Sequence, residues 1–174
     1  MKRNCAIGLL ILLPPLLLCG QTNGVSAGPA LITSRTGSFD LNSRTATYQG
    51  NVHVDDPQMK LRCEWLLASL PPSGGRISHI VCETNVVIDY SDEKGQTNHI
   101  TSDKAVYDYN VQGNVTNETI TFTGNPKIEN AQAIITGEPI IWNRADGNFV
   151  VMDEKMIFKE GIGGLSAMTN AATK

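Results

Sequence analysis

Almost every apolar stretch after Leu31 alternates with polar residues at period two, and the alternation is organised into a motif that occurs three times. In the first copy, Gly50-Asn51-Val52-His53-Val54 leads through a short tip into Met59-Lys60-Leu61-Arg62-Cys63-Glu64-Trp65-Leu66. The second runs Thr84-Asn85-Val86-Val87-Ile88, then His99-Ile100-Thr101-Ser102-Asp103-Lys104-Ala105-Val106. The third runs Gly124-Asn125-Pro126-Lys127-Ile128, then Ile134-Ile135-Thr136-Gly137-Glu138-Pro139-Ile140. Successive side chains of a strand point to opposite faces, so these stretches read as half-buried strands. A unit repeated at spacings of 34 and 40 residues implies stacked supersecondary pieces, none able to bury its apolar face alone.

Turn chemistry punctuates the strands at Gln49-Gly50-Asn51, Asp55-Asp56-Pro57, Pro71-Pro72-Ser73-Gly74-Gly75, Glu93-Lys94-Gly95, Gln112-Gly113-Asn114, Gly124-Asn125-Pro126 and Asp146-Gly147-Asn148. Many short strands with no helical periodicity predict an all-β chain. At the N-terminus, Lys2 and Arg3 precede an apolar run from Cys5 to Leu18 and then small residues ending Val25-Ser26-Ala27. This is the layout of a secretory signal peptide, and Pro14-Pro15 argues against a continuous membrane-spanning helix. A lipoprotein reading, with Cys19 acylated after Leu16-Leu17-Leu18, is the less favoured alternative because Leu18 is bulky for that position.

The predicted organisation is a signal peptide over 1–27, a linker over 28–35, one β domain over 36–158 and a flexible, small-residue tail over 159–174. Removing the first 27 residues takes Lys2 and Arg3 from the 14 basic residues and none of the 17 acidic ones. The exported chain is therefore acidic, with no basic stripe for nucleic acid and little attraction to an anionic membrane surface. Cys63 and Cys82 are its only cysteines if cleavage follows Ala27. They form a disulfide candidate in an oxidising compartment, with two free buried thiols as the alternative.

The pattern Gly-Asn-Val-x-Val, a tip, then x-Leu-x-x-Glu/Asp-x-Leu resembles the OstA-like repeat of the periplasmic lipopolysaccharide-transport proteins of LptA type. The resemblance covers about residues 36 to 158, and the tip Pro71–Gly75 and the cysteine pair depart from it. It implies an open, twisted antiparallel β-jelly roll whose apolar interior takes the acyl chains of lipid A. It also implies partners: lipopolysaccharide, like-folded domains of inner- and outer-membrane transport proteins, and head-to-tail copies of the same chain. The implied role is that of a periplasmic carrier needing no cofactor and no catalytic group.

From alternation alone, the interior face takes Val52, Val54, Met59, Leu61 and Trp65 from the first unit and Val86 and Ile88 from the second. Ile100, Ile120, Phe122, Ile128, Ile134, Ile140 and Trp142 continue the series. An open roll leaves unpaired edges, expected near Phe39-Asp40-Leu41 and Phe149-Val150-Val151-Met152. Glu64, Asp103 and Glu138 recur at one place in the unit and are expected to satisfy donors at a strand bend. His53, His79 and His99 stand apart without metal-ligand spacing, and no G-x-S-x-G, Walker or Rossmann stretch is present. The competing reading is a structural β-solenoid whose repeats serve only assembly; it requires a sealed core.

Overall fold

Of the Gly-Asn pairs expected to be turns, Gly50-Asn51 is a crease inside a strand, Gly124-Asn125 bends the chain between two strands, and Gly147-Asn148 lies at a hairpin turn. The computed structural model describes residues 30–57, 59–71, 76–91, 95–113 and 115–159. The signal-peptide segment, the tip at 72–75 and the C-terminal tail beyond 159 lie outside the described residues. Twelve strands are formed among them: β1 (Leu31–Thr33), β2 (Thr36–Asp40), β3 (Thr45–Asp55), β4 (Met59–Ser69), β5 (His79–Ser91), β6 (Thr97–Gln112), β7 (Val115–Thr123), β8 (Lys127–Glu129), β9 (Ala133–Thr136), β10 (Ile140–Asn143), β11 (Asn148–Val151) and β12 (Lys155–Phe158). All pairings are antiparallel.

The register shows how twelve strands make two layers. One half of β3 pairs with β2 and the other with β1, while β6 pairs with β7 along one half and β8 along the other. The long strands thus pass through both layers, and shorter strands complete each layer at the sides. In the first layer Ile32, Val54, Leu61 and Ile88 are successive cross-strand partners, and Ile100, Ile128, Ile135 and Met156 extend the same row. In the second, Ala46, Ala68, Ile80, Tyr107, Ile120, Trp142 and Phe149 form one such row, and Leu66, Cys82, Ala105, Phe122 and Ile140 form its neighbour. Cross-strand rows of this kind are the stabilising unit of a sheet. The inward rows of the two layers make the core, with Val52, Ile88, Phe122 and Ile140 fully excluded from solvent.

The crease has a chemical cause. Gly50 and Asn51, Thr84 and Asn85, and Gly124 and Asn125 are each consecutive residues with positive φ, a left-handed pair that bulges one strand past its neighbour. Register shifts fall at these places, between Gln49 and Val52 and between Glu83 and Val86. The recurrent acids lie beside these bulges, Glu64 on β4, Asp103 on β6 and Glu138 in the link between β9 and β10. Glu64 accepts the Asn51 N–H at 3.2 Å, and both carboxylate oxygens of Glu138 accept the Gly124 N–H, at 3.0 and 3.2 Å. Asp103 donates its own N–H to the Gly124 carbonyl at 2.9 Å and lies 3.5 Å from the Asn125 side-chain amide. Glu64 and Glu138 thus satisfy backbone donors that the bulges withdraw from the ladder, as expected of them, whereas Asp103 offers its carboxylate to a side-chain amide.

On two of the long strands, crossing the crease also changes which residues face inward. In β3 and β5 the two-residue bulge preserves the phase, so Ala46 and Val52, or Cys82 and Val86, are buried alike. In β4 the phase slips by one at Glu64: Leu61 and Cys63 are buried before it, Leu66 and Ala68 after it. β6 behaves the same way, with Ile100 and Ser102 before Asp103 and Ala105 after it.

Candidate functional site

Two of the expected interior residues face away from the core, Trp65 because of that slip. Trp65 sits on the side of β4 away from the core, opposite Gln49 and Glu83, and Leu66 fills the inward place. Ile134 pairs with Glu129 and Ile157 on the outward side of β9, and Ile135 packs against the core instead. The remaining twelve face inward, as alternation predicts. Inward residues divide between a packed end and an open one.

At the packed end the layers touch through aromatic rings. Trp142 of the second layer lies 4.5 Å, centroid to centroid, from Tyr90 of the first and stacks on Phe149 at 5.3 Å with planes 17° apart. At the open end a cleft of about 250 Å³ separates the layers. Ile32, Val54, Met59, Leu61 and Ile88 supply its first-layer wall; Leu66, Ala68, Ile80, Cys82, Ala105, Tyr107 and Ile120 supply the other, with Ile77 at the side. Val54, Met59, Leu61, Ile88 and Ile120 are therefore the expected interior residues that border open space. Val52, Val86, Ile100, Phe122, Ile128, Ile140 and Trp142 form solid core or closure. Ile32, Ile77, Ala68 and Tyr107 were not anticipated. Leu66, Ala68 and Tyr107 carry the alternation once the phase slip is known; Ile77, next to the irregular tip, has no such signal.

Polar groups gather at the lip of this cleft, where Asp56, Arg76 and Arg144 join the lining. Arg76 and Arg144 both pair with Oε1 of the buried Glu118, Arg144 at 2.9 Å. Arg76 also donates Nε–H to the Tyr107 hydroxyl at 3.0 Å and lies over the Tyr109 ring at 4.6 Å. Partial burial disfavours the charge on Arg76, but the neighbouring Tyr107 and Glu118 outweigh it and hold its guanidinium above the ordinary range. Burial, reinforced by the charge of Glu118, pushes the Tyr107 phenol up, keeping it protonated.

The other chemistry-bearing residues are dispersed. His79 meets Asp108 at 2.7 Å, His99 meets Asp89 at 2.6 Å and His53 meets Asn51 at 3.1 Å, three separate surface pairs. Among the described residues no group of three or more His, Cys, Asp or Glu is placed to hold a metal ion. Cys63 and Cys82 are free thiols in the core on adjacent strands. The hydrogen bond to Cys63, followed by burial, raises the Cys82 thiol above its ordinary range.

A sheet folded along a bulged crease, with an apolar cleft between its layers and open edges, defines a class of open antiparallel β-rolls. The family model for "LptA/(LptD N-terminal domain) LPS transport protein" matches residues 31–148. The chain belongs to this family. Its fold is similar to the crystal structure of LptH, described as the LptA-homologous periplasmic component of the lipopolysaccharide transport device of Pseudomonas aeruginosa. The TM-score is 0.62 at 12% identity, covering 74% of this chain and 94% of that one. No curated protein matches.

Proposed function

We propose that the protein is an exported, periplasmic carrier that shields acyl chains of lipopolysaccharide between its two layers and passes them between like-folded membrane partners. The apolar cleft carries this reading. A sealed solenoid has no use for an unfilled gap lined by aliphatic side chains. Each methylene moved out of water contributes about 0.8 kcal/mol, so one chain supplies several kcal/mol without a specific polar contact. The cleft, about 250 Å³, falls just short of the roughly 300 Å³ at which pockets for drug-sized molecules begin. One chain is therefore its natural occupant, and a multiply acylated lipid requires the layers to part further.

The two edges support the bridging half of the proposal. At one side Leu31, Phe39 and Leu41 are exposed, and at the other Val150, Met152, Ile157 and Phe158. Exposed strand edges with apolar side chains accept further strands through main-chain hydrogen bonds. Head-to-tail stacking on another copy, or on a like-folded domain, joins β1–β2 of one roll to β11–β12 of the next and makes the apolar interior continuous.

A photo-crosslinking side chain at Met59, Ile77 or Ile80 is expected to form adducts with lipopolysaccharide, and one at outward Arg62 or Thr121 is not. Adducts at neither set, in folded protein, overturn the carrier reading and leave an assembly scaffold.

The cysteines give a second expectation. Oxidation of the purified chain joins Cys63 to Cys82, and the crosslink stabilises by about 3 kcal/mol in the chain-entropy treatment of a loop of this length. Thiol titration in denaturant before and after oxidation checks this. Two titratable thiols remaining after oxidation of the folded protein would rule the crosslink out.

A further inference from the structure

We infer that the lip of the cleft seats a phosphate monoester borne on the head of an amphiphile, with Arg76 as its principal donor and Arg144 beside it. The inference rests on the reading of the cleft as an acyl-chain site and adds a headgroup contact to it. The cleft is lined mainly by apolar side chains, with the half-exposed Arg76 among its few charged ones, the arrangement that suits one chain and one charged head. Two guanidiniums converge there on a single carboxylate, Glu118, in a chain whose net charge is negative. One arginine suffices to neutralise a buried acid. The second is not required for that task.

Arg76 is built as a donor held ready. Tyr107, Glu118 and the face of Tyr109 fix its guanidinium plane, yet 49% of its side chain remains in solvent, against 16% for Arg144. A guanidinium carries five N–H donors in a rigid fork. The contacts to Tyr107 and Glu118 take two of them. The fork geometry matches phosphate oxygens, and such charge-assisted bonds are among the strongest available.

The test titrates octyl phosphate, octanol and inorganic phosphate separately into the full-length protein, the Arg76→Gln variant and the Arg76→Lys variant. The native chain is expected to bind octyl phosphate about tenfold more tightly than octanol. That preference should shrink as salt is raised, and inorganic phosphate should bind far more weakly than octyl phosphate. Arg76→Gln should lose the preference for octyl phosphate over octanol; Arg76→Lys should keep part of it, since an ammonium keeps the charge without the fork. Equal binding of octanol and octyl phosphate by the native chain overturns the headgroup seat and leaves the acyl reading standing. Failure of both to bind overturns the two together. Equal losses of octanol and octyl phosphate binding in both variants reduce Arg76 to a structural role and overturn the inference. Inorganic phosphate binding as tightly as octyl phosphate overturns the amphiphile.

Discussion

Trp142→Ala is expected to lower the unfolding free energy by about 3–5 kcal/mol, the range for deleting a large aromatic side chain from a packed core. Trp142 is 1% exposed and lies against Tyr90 of the opposite layer and Phe149 of the adjacent strand. Its removal therefore opens a cavity and also severs the aromatic contact joining the layers at the closed end. Trp142→Phe separates these contributions from a third. The Nε1 hydrogen has no hydrogen-bond partner among the described residues, and a buried unsatisfied donor costs about 1–3 kcal/mol. Phenylalanine keeps most of the ring contact and removes that donor, so its loss of stability should be much smaller. Urea unfolding of the three proteins makes the comparison. Equal losses for Ala and Phe would show that ring packing between the layers is not what matters at this position.

Gly137→Ala is the second large effect, through overpacking. A Cβ at Gly137 would intrude on the Cγ1 of Val151 and on the Met152 carbonyl oxygen. The valine methyl can rotate away. The carbonyl cannot readily follow, because it accepts the Glu138 N–H at 2.8 Å while the Met152 N–H donates to Pro139 at 3.2 Å. These two bonds tie the link between β11 and β12 to the link between β9 and β10. A cost of about 1–3 kcal/mol is expected, together with faster amide hydrogen exchange along β12. Adding Val151→Ala should restore only part of the stability. Full restoration would place the whole conflict at the side chain and contradict the role given to the backbone.

The all-β roll and most of its inward face were legible in the sequence, because period-two alternation is a local property that survives wherever a strand is regular. Ile88, Ile100, Phe122 and Ile140 follow it into the core. Trp65 does not, because a one-residue slip at Glu64 inverts every side chain beyond it; Ile134 does not, because β9 turns Ala133 and Ile135 inward instead. The Gly-Asn pairs were legible as special backbone but ambiguous in use: the same left-handed preference builds a hairpin turn or a mid-strand bulge, and only pairing register decides. The lip of the cleft was illegible for a different reason. Arg76, Tyr107, Glu118 and Arg144 come from separate stretches of chain, and the contact between Arg76 and Glu118 spans 42 residues. Nor does alternation fix the distance between layers, on which the existence of a cleft depends.

That distance is the central claim, and one titration tests it most directly: acyl-chain binding by the Ala68→Leu protein. Ala68 lies on the second-layer wall of the cleft. A leucine there should occupy the open space, so the account predicts a folded protein of undiminished stability that no longer takes up octanol or lipopolysaccharide. In a closed core the same substitution would overpack and destabilise by about 1–3 kcal/mol. A destabilised Ala68→Leu protein that binds both ligands as well as the native chain would contradict the account.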